Sequence, residues 1–137
     1  PFEQAGEFGG ARPRTEGPTP DPDDWGLAKV NPGLRANTTI AVVATDAALT
    51  PAQCRRFAIM AQDGLARAVR PAHAPFDGDV VFALSTGRRP LEAPAAMSLT
   101  VLAERAATCL ARAVARGVYE AEGWPGSGVL RWRDLPA

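Results

Sequence analysis

The sequence predicts an α/β fold, because two short apolar strands alternate with two helices from residue 38 onward. The first strand is predicted over residues 40–44, a run of β-branched and small apolar residues that is typical of a buried strand. The second is predicted over residues 80–85 and has the same character. After a turn that begins at Gly123, a last short strand is predicted over residues 129–132. The alanine-rich helices suit close packing against such a sheet.

The first helix has a clear start. Thr50 is placed as its N-cap, Pro51 occupies the first helical position, and Gln53 can complete a capping box. This helix is predicted to continue to about residue 70, before Pro71, with an inward stripe of Cys54, Phe57, Ala58, Ala61, Leu65, Ala68 and Val69. The second helix is predicted over residues 98–116, with an inward stripe of Leu99, Leu102, Ala106, Leu110, Ala113 and Val114.

Composition limits the classes of function. The chain has 137 residues, enough for one domain, and its 15 basic and 15 acidic residues cancel. A nucleic-acid partner is therefore not expected, and neither is a membrane, because no stretch is long and apolar enough to span one. Cys54 and Cys109 fall in the predicted helices, so we expect reduced core cysteines in a soluble, cytoplasmic protein.

The chain divides at residue 37. Residues 1–37 are rich in Gly and Pro and show no helical or strand periodicity, which is typical of a linker. Residues 38–137 carry the predicted strands and helices. Because the sequence opens at Pro1 rather than at methionine, we expect a further portion upstream.

Thr38 is the first candidate site residue. It follows the linker and opens the first strand, and cleavage of the Asn37–Thr38 bond would make it an N-terminal residue. A threonine freed in this way has its own base, since the new α-amine can accept the proton of Oγ. Two other interpretations remain open: residues 37–39 match a glycosylation sequon, and Thr38 and Thr39 can be ordinary strand residues.

Asp77 and Asp79 are the second candidate. They flank Gly78 at the entrance to the second strand, and alternation along a strand would direct both carboxylates to one pocket. Paired carboxylates can handle protons or hold an ammonium group. The alternative is a plain turn. His73 is the only histidine, so a conventional Ser-His-Asp or Cys-His site would have to use it, and no zinc site or other cofactor is predicted.

These motifs resemble the DmpA-type aminopeptidase family, which includes the hydrolases of nylon (6-aminohexanoate) oligomers. The similar stretches are residues 1–10, 37–45, 57–68 and 70–87, and the last includes Asp77-Gly78-Asp79. Members cleave themselves before a Ser or Thr that becomes the nucleophile, and this residue corresponds to Thr38. The resemblance implies that residues 1–37 end the large subunit and that residues 38–137 form the small subunit.

The resemblance also implies a fold and missing parts of the site. The expected fold is a four-layer αββα sandwich, to which this chain supplies the C-terminal part, assembled as a homo-oligomer, by resemblance a tetramer. The family takes a lysine and an oxyanion-stabilising asparagine from the large subunit. Lys29 is the only lysine here, and it lies in the linker where no family motif supports a catalytic role.

Asn37-Thr38 and Asp77-Gly78-Asp79 are the forms found in the nylon-oligomer branch, whereas the aminopeptidase branch has Gly-Ser and Ser-x-Glu. The leading hypothesis is therefore an amidohydrolase that cleaves 6-aminohexanoate oligomers internally, with Asp77 and Asp79 orienting the α-ammonium of Thr38 and Asp79 assisting proton transfer. An alternative is an aminopeptidase acting on short peptides or β-peptides. An alternative of another class is a non-catalytic binding or assembly subunit that keeps the fold.

Overall fold

The computed structural model describes residues 38–75, 77–123, 125–126 and 131–134. Strands and helices alternate along them, which confirms the predicted α/β class. The elements are β1 (Ile40–Ala47), α1 (Pro51–Ala61), α2 (Asp63–Ala68), β2 (Val80–Arg89), α3 (Ala95–Glu120) and a 3₁₀ turn (Trp132–Asp134). In this part of the chain, no helix is long and apolar enough to cross a membrane.

The two strands pair in parallel, with α1 and α2 forming the crossover between them. Ile40 is opposite Val80, and the same register continues to Thr45 and Ser85. Both strands extend further than the apolar runs predict, because the pairing continues into polar residues. Both strands begin at the same edge of the sheet, and this edge positions the candidate site.

Helix α1 begins as predicted, with Thr50 as N-cap and Gln53 completing a capping box. The Gln53 N–H donates to Thr50 Oγ1 at 3.3 Å, and the Thr50 N–H donates to Gln53 Oε1 at 2.8 Å. The single helix predicted to residue 70 is wrong. It divides at Gln62, where the Leu65 N–H donates to the Gln62 carbonyl at 2.9 Å in a tighter turn, and α2 ends at Ala68.

Helix α3 is longer than the prediction and turns a different face inward. Its buried residues are Ala103, Ala107, Leu110, Ala111 and Ala115, of which the four alanines recur every fourth position. Of the predicted stripe, only Leu110 is buried, Ala113 is exposed, and the rest are partly buried. Cys109 is exposed and Cys54 is partly buried, so Cys109 is not the core residue that was expected.

Close approach of the helices explains this choice of face. Gly64 of α2 is buried against α3, and a Cβ at this position would meet the Ala107 carbonyl oxygen and lie 3.0 Å from Leu110 Cβ. A leucine row on α3 would hold the helices apart, whereas alanines let the backbones come together. Phe57 and Leu65, at 1% and 0% exposure, fill the remaining space of the core.

The predicted last strand is wrong at its carboxyl end, because Trp132 begins a 3₁₀ turn. The guanidinium group of Arg131 fixes this turn: it donates to both carboxylate oxygens of Asp134, at 2.7 and 2.9 Å, and to Glu122 at 2.8 Å. Residues 129 and 130 lie outside the described residues.

One face of the sheet packs on the helices and the other is exposed. Val43 on the inner face is buried, whereas the outer face carries large exposed apolar side chains on both strands, of which Val42 and Phe82 are directly opposite each other. These are Ile40, Val42, Phe82 and Leu84, which are 54–71% exposed. We call these four residues the outer sheet face.

Candidate active site

The candidate site lies at the edge where both strands begin. Thr38 precedes β1 by one residue, and Asp77, Gly78 and Asp79 lead directly into β2. Because the strands are parallel, these two segments lie side by side. The Val80 N–H donates to the Thr39 carbonyl at 2.9 Å, which extends the pairing of the strands to the residue after Thr38.

Thr38 is exposed, and its hydroxyl lies against Gly78. A Cβ placed on Gly78 would be 2.8 Å from Thr38 Oγ1, closer than real Cβ atoms approach other atoms. Gly78 therefore makes room for the hydroxyl between the two carboxylate residues. Asn37, the other side of the predicted cleavage bond, lies outside the described residues.

Asp79 is the most buried part of the site, with a side chain only 6% exposed. Its Oδ1 accepts the Thr39 N–H at 2.8 Å, and its Oδ2 accepts the His73 N–H at 3.2 Å. Burial raises the pKa of this carboxyl, but these two backbone bonds, a bond from the Thr39 hydroxyl and the charge of His73 together hold the pKa below its ordinary value of 3.8. Asp79 is therefore a buried carboxylate that is charged at neutral pH.

Asp77 closes a turn in the preceding loop. Its N–H donates to the Ala74 carbonyl at 2.8 Å, and its Oδ2 accepts the Ala74 N–H at 2.9 Å. Residues 77–79 precede β2, so the strand alternation used in the sequence prediction does not place the two carboxylates. The loop does so instead, because the successive N–H groups of His73 and Ala74 donate to Asp79 and Asp77 respectively.

His73 is part of the site in a way that sequence reasoning missed. Its Nδ1 lies 3.0 Å from Asp79 Oδ2, and its backbone has a φ of 57°, in the left-handed region. The loop carries no periodicity that would direct this ring toward a carboxylate six residues later. The only signal in the sequence is that the sole histidine precedes an Asp-Gly-Asp motif.

The structure thus brings Thr38, Asp77, Asp79 and His73 to one edge of the sheet. The Asp79 carboxylate accepts the backbone N–H of Thr39, the residue next to the predicted nucleophile. Cys54 and Cys109 are on the helices and not in this group. Among the described side chains, no cluster of three or more His, Cys, Asp or Glu residues could hold a metal ion.

Several known proteins are similar to this chain. An uncharacterized aminopeptidase of Mycobacterium tuberculosis is 56% identical over 108 residues, which cover 72% of this chain and 31% of that protein. An uncharacterized aminopeptidase of Mycobacterium leprae is 50% identical over 111 residues, 74% of this chain and 31% of the relative. A 6-aminohexanoate-oligomer endohydrolase of a Kocuria species is 34% identical over 50 residues, 36% of this chain and 14% of that enzyme.

The chain spans about a third of the length of the mycobacterial relatives, 31% in each case. A family model described as peptidase family S58 matches residues 5–130, which is nearly the whole sequence and includes both halves of the candidate site. The chain therefore belongs to peptidase family S58.

Proposed function

We propose that this chain forms part of a self-processing amide hydrolase in which Thr38 is the N-terminal nucleophile. The observation that carries the proposal is the position of the Thr38 hydroxyl, which lies against Gly78, the residue that separates Asp77 from Asp79 at the edge of the sheet. Membership of a peptidase family supports amide cleavage as the reaction. In this proposal, the Asn37–Thr38 bond is the cleavage site, and Asp77 and Asp79 act on the α-amine that cleavage frees.

Processing is proposed to begin when Thr38 Oγ attacks the carbonyl carbon of Asn37. The C–N bond between the residues breaks, the proton lost by Oγ passes to the nitrogen, and an ester joins Asn37 to the Thr38 side chain. Water then hydrolyses this ester, which leaves a carboxylate on Asn37 and restores the hydroxyl of Thr38. The product is a threonine whose α-amine and Oγ are both free.

Turnover uses the same hydroxyl on an external amide. The α-amine of Thr38 accepts the Oγ proton as Oγ attacks the substrate carbonyl, and the proton then passes to the departing amine. The resulting acyl ester is hydrolysed by water. Asp77 and Asp79 are proposed to orient the α-ammonium, and Asp79 to assist proton transfer. The oxyanion donor and the lysine are proposed to come from the large subunit.

Two substrate classes have support. The Asn37-Thr38 and Asp77-Gly78-Asp79 motifs support internal cleavage of 6-aminohexanoate oligomers, and a relative with that name matches over 50 residues. Aminopeptidase action on short peptides or β-peptides is supported by the longer and more similar matches to proteins named aminopeptidases. A non-catalytic subunit remains as the alternative of another class, and an uncut Asn37–Thr38 bond would favour it.

The outer sheet face supports the rest of the proposal. Four large exposed apolar side chains on neighbouring strands are the kind of surface that a second sheet covers in a sandwich. We therefore propose the four-layer αββα arrangement, with residues 1–37 as the end of the large subunit and residues 38–137 as the small subunit. We also propose a cytoplasmic homo-oligomer of processed protomers that acts on small amide or peptide substrates, with neither nucleic acid nor a membrane as a partner.

Intact mass spectrometry of the purified full-length protein tests the nucleophile. We expect a fragment that begins at Thr38 in the wild type, a single uncut chain without amidase activity for Thr38→Ala, and partial cleavage for Thr38→Ser, which keeps a hydroxyl. Thr45→Ala, in the same segment and outside the site, is the matched control and should be cut normally. A Thr38→Ala protein that is still cut and active would refute the proposal.

Substrates with a free and a blocked amine distinguish an endohydrolase from an aminopeptidase. Purified protein is given 6-aminohexanoate oligomers with a free amine, the same oligomers with an acetylated amine, and alanine p-nitroanilide. An endohydrolase is expected to cut both oligomers, whereas an aminopeptidase requires the free amine and releases nitroaniline.

A further inference from the structure

We propose that Thr39 and His73 are positioning residues that act through Asp79 to hold the new N-terminus in place after the chain is cut. The inference rests on the proposed function and adds two residues to it. Neither residue is proposed to touch the substrate. Together with Asp79 they form what we call the clamp, which consists of Thr39, Asp79 and His73.

Thr39 is held by both of its backbone groups. Its N–H donates to Asp79 Oδ1 at 2.8 Å and its carbonyl accepts the Val80 N–H at 2.9 Å, while its hydroxyl contributes to lowering the pKa of the Asp79 carboxyl. The backbone of the second residue of the small subunit is therefore fixed on both sides of its Cα atom. A residue just before a strand would ordinarily have the ladder bond alone.

Such a fixed residue matters because cleavage creates a chain end. Terminal residues fray unless something ties them down, and a frayed nucleophile loses the advantage of being held near its target. With Thr39 fixed, Thr38 is the one residue between the anchor and the free end. The α-amine and Oγ of Thr38 then have only the torsions of a single residue to explore.

His73 holds the other side of the same carboxylate. Its N–H lies 3.2 Å and its Nδ1 lies 3.0 Å from Asp79 Oδ2, while Oδ1 is occupied by Thr39. Bonds on both oxygens prevent the carboxylate from rotating about its χ2 torsion. The left-handed φ of 57° at His73 accompanies this double contact and is a conformation that asparagine also tolerates.

Asp79 and Thr38 differ in exposure, and this difference indicates different roles. Asp79, with a side chain 6% exposed, is held by Thr39 and His73, whereas Thr38 is exposed beside Gly78. Loss of a clamp residue should therefore disturb the position of the nucleophile and leave the substrate surface intact. In kinetic terms, kcat falls and KM stays the same.

The test uses the full-length protein with Thr39→Val, His73→Ala and His73→Asn. Thr39→Val removes the hydroxyl and keeps the shape and the N–H. His73→Asn keeps a side-chain donor and tolerates the left-handed backbone, so it is the conservative variant. Thr45→Val is the matched control, since the Thr45 hydroxyl accepts a hydrogen bond from Ala47 within β1 and lies outside the clamp.

The self-cleavage rate is followed by intact mass, and kcat and KM are measured on the amide that the wild type cleaves. We expect kcat to fall about 10- to 100-fold in Thr39→Val and His73→Ala, a size typical of a misplaced reacting group, with KM within about twofold. His73→Asn should recover most of the rate, and Thr45→Val should match the wild type. If His73→Ala does not fold, Thr39→Val carries the test.

Failure of the clamp and failure of the proposed function give different results. If the wild type is cut and active, Thr38→Ala is inert, and yet both clamp variants keep the wild-type kcat, then the clamp is refuted and the proposed function stands. A rise in KM without a loss of kcat also refutes the clamp. If the wild type is uncut, or Thr38→Ala is cut and active, then the proposed function fails and the clamp fails with it.

Discussion

Gly78 sets the position of the candidate nucleophile without taking part in its chemistry. Its missing side chain leaves the space that the Thr38 hydroxyl occupies, with 2.8 Å between Oγ1 and the site of a Cβ. Sequence reasoning treated this glycine as a spacer between two acids. Residues this close across two strands carry no local signal, because the distance depends on the strand register. The same is true of His73, whose contact with Asp79 depends on an irregular loop.

Gly78→Ala is expected to lower kcat and slow self-cleavage in the full-length protein, because the methyl group forces the Thr38 hydroxyl to rotate away. A loss of about 10- to 100-fold is the size expected for a displaced reacting group. Gly117→Ala is the control, since a Cβ there meets nothing within 4 Å. Unchanged rates in Gly78→Ala would show that the hydroxyl does not react from this position.

The lowered pKa of Asp79 predicts how stability depends on pH. Because the folded pKa lies below 3.8, the charged carboxylate stabilises the fold at higher pH, and this contribution is lost as pH falls through the folded pKa. Asp79→Asn removes this contribution. The comparison is between Thr38→Ala alone and Thr38→Ala combined with Asp79→Asn, because neither protein is expected to be processed. The difference between their unfolding free energies should shrink as the pH is lowered from about 6 to about 3. A difference independent of pH would contradict the assignment, and Gly117→Ala provides a pH-independent reference.

At the scale of the elements, the contact between α2 and α3 decides which helix residues are buried. The start of α1 was predictable because a capping box is a local pattern of Thr50 and Gln53. The buried face of α3 was not, because hydropathy ranks leucine above alanine, whereas the close approach at Gly64 favours alanine. Packing distance between helices is a tertiary property, and a single helix sequence does not reveal it.

Gly64→Ala is expected to destabilise the fold by about 1–3 kcal/mol, the usual range for overpacking a core. The added methyl group meets the backbone carbonyl of Ala107, which cannot move aside as a side chain could. Gly117→Ala, made in the same protein, should instead raise the free energy of unfolding by about 0.5–1 kcal/mol, because alanine has a higher helix propensity than glycine. Urea denaturation measures both, and equal stability of the two variants would contradict the close packing.

At the scale of the whole molecule, the outer sheet face is the main unpaired apolar surface of the described residues. Ile40 and Val42 on β1 and Phe82 and Leu84 on β2 are more than half exposed. The sequence predicted that the strands were buried, and the helices cover only one of their two faces. A sequence pattern of continuous apolar residues shows that both faces are to be covered, but it does not show by what.

Phe82→Asp is expected to disrupt assembly of the full-length protein, because a charge on the outer sheet face would have to be desolvated against a second sheet. Size-exclusion chromatography with light scattering should show smaller or aggregated species. Met97→Asp is the control, since Met97 is a similarly exposed apolar residue on α3, at 62% against 57% for Phe82. Normal assembly of Phe82→Asp would refute the proposed sandwich.

The parallel pairing of β1 and β2 also has a use in protein engineering. The candidate site residues Thr38, Asp77 and Asp79 are at the edge where the strands begin, and β2 runs for 10 residues before the chain reaches the exposed Glu92, a distance of about 30 Å at the usual rise per residue. The candidate site and the connection from β2 to α3 are thus at opposite ends of the sheet. A peptide tag or fluorophore attached at Glu92 would report on the molecule from far enough away to leave the candidate site untouched.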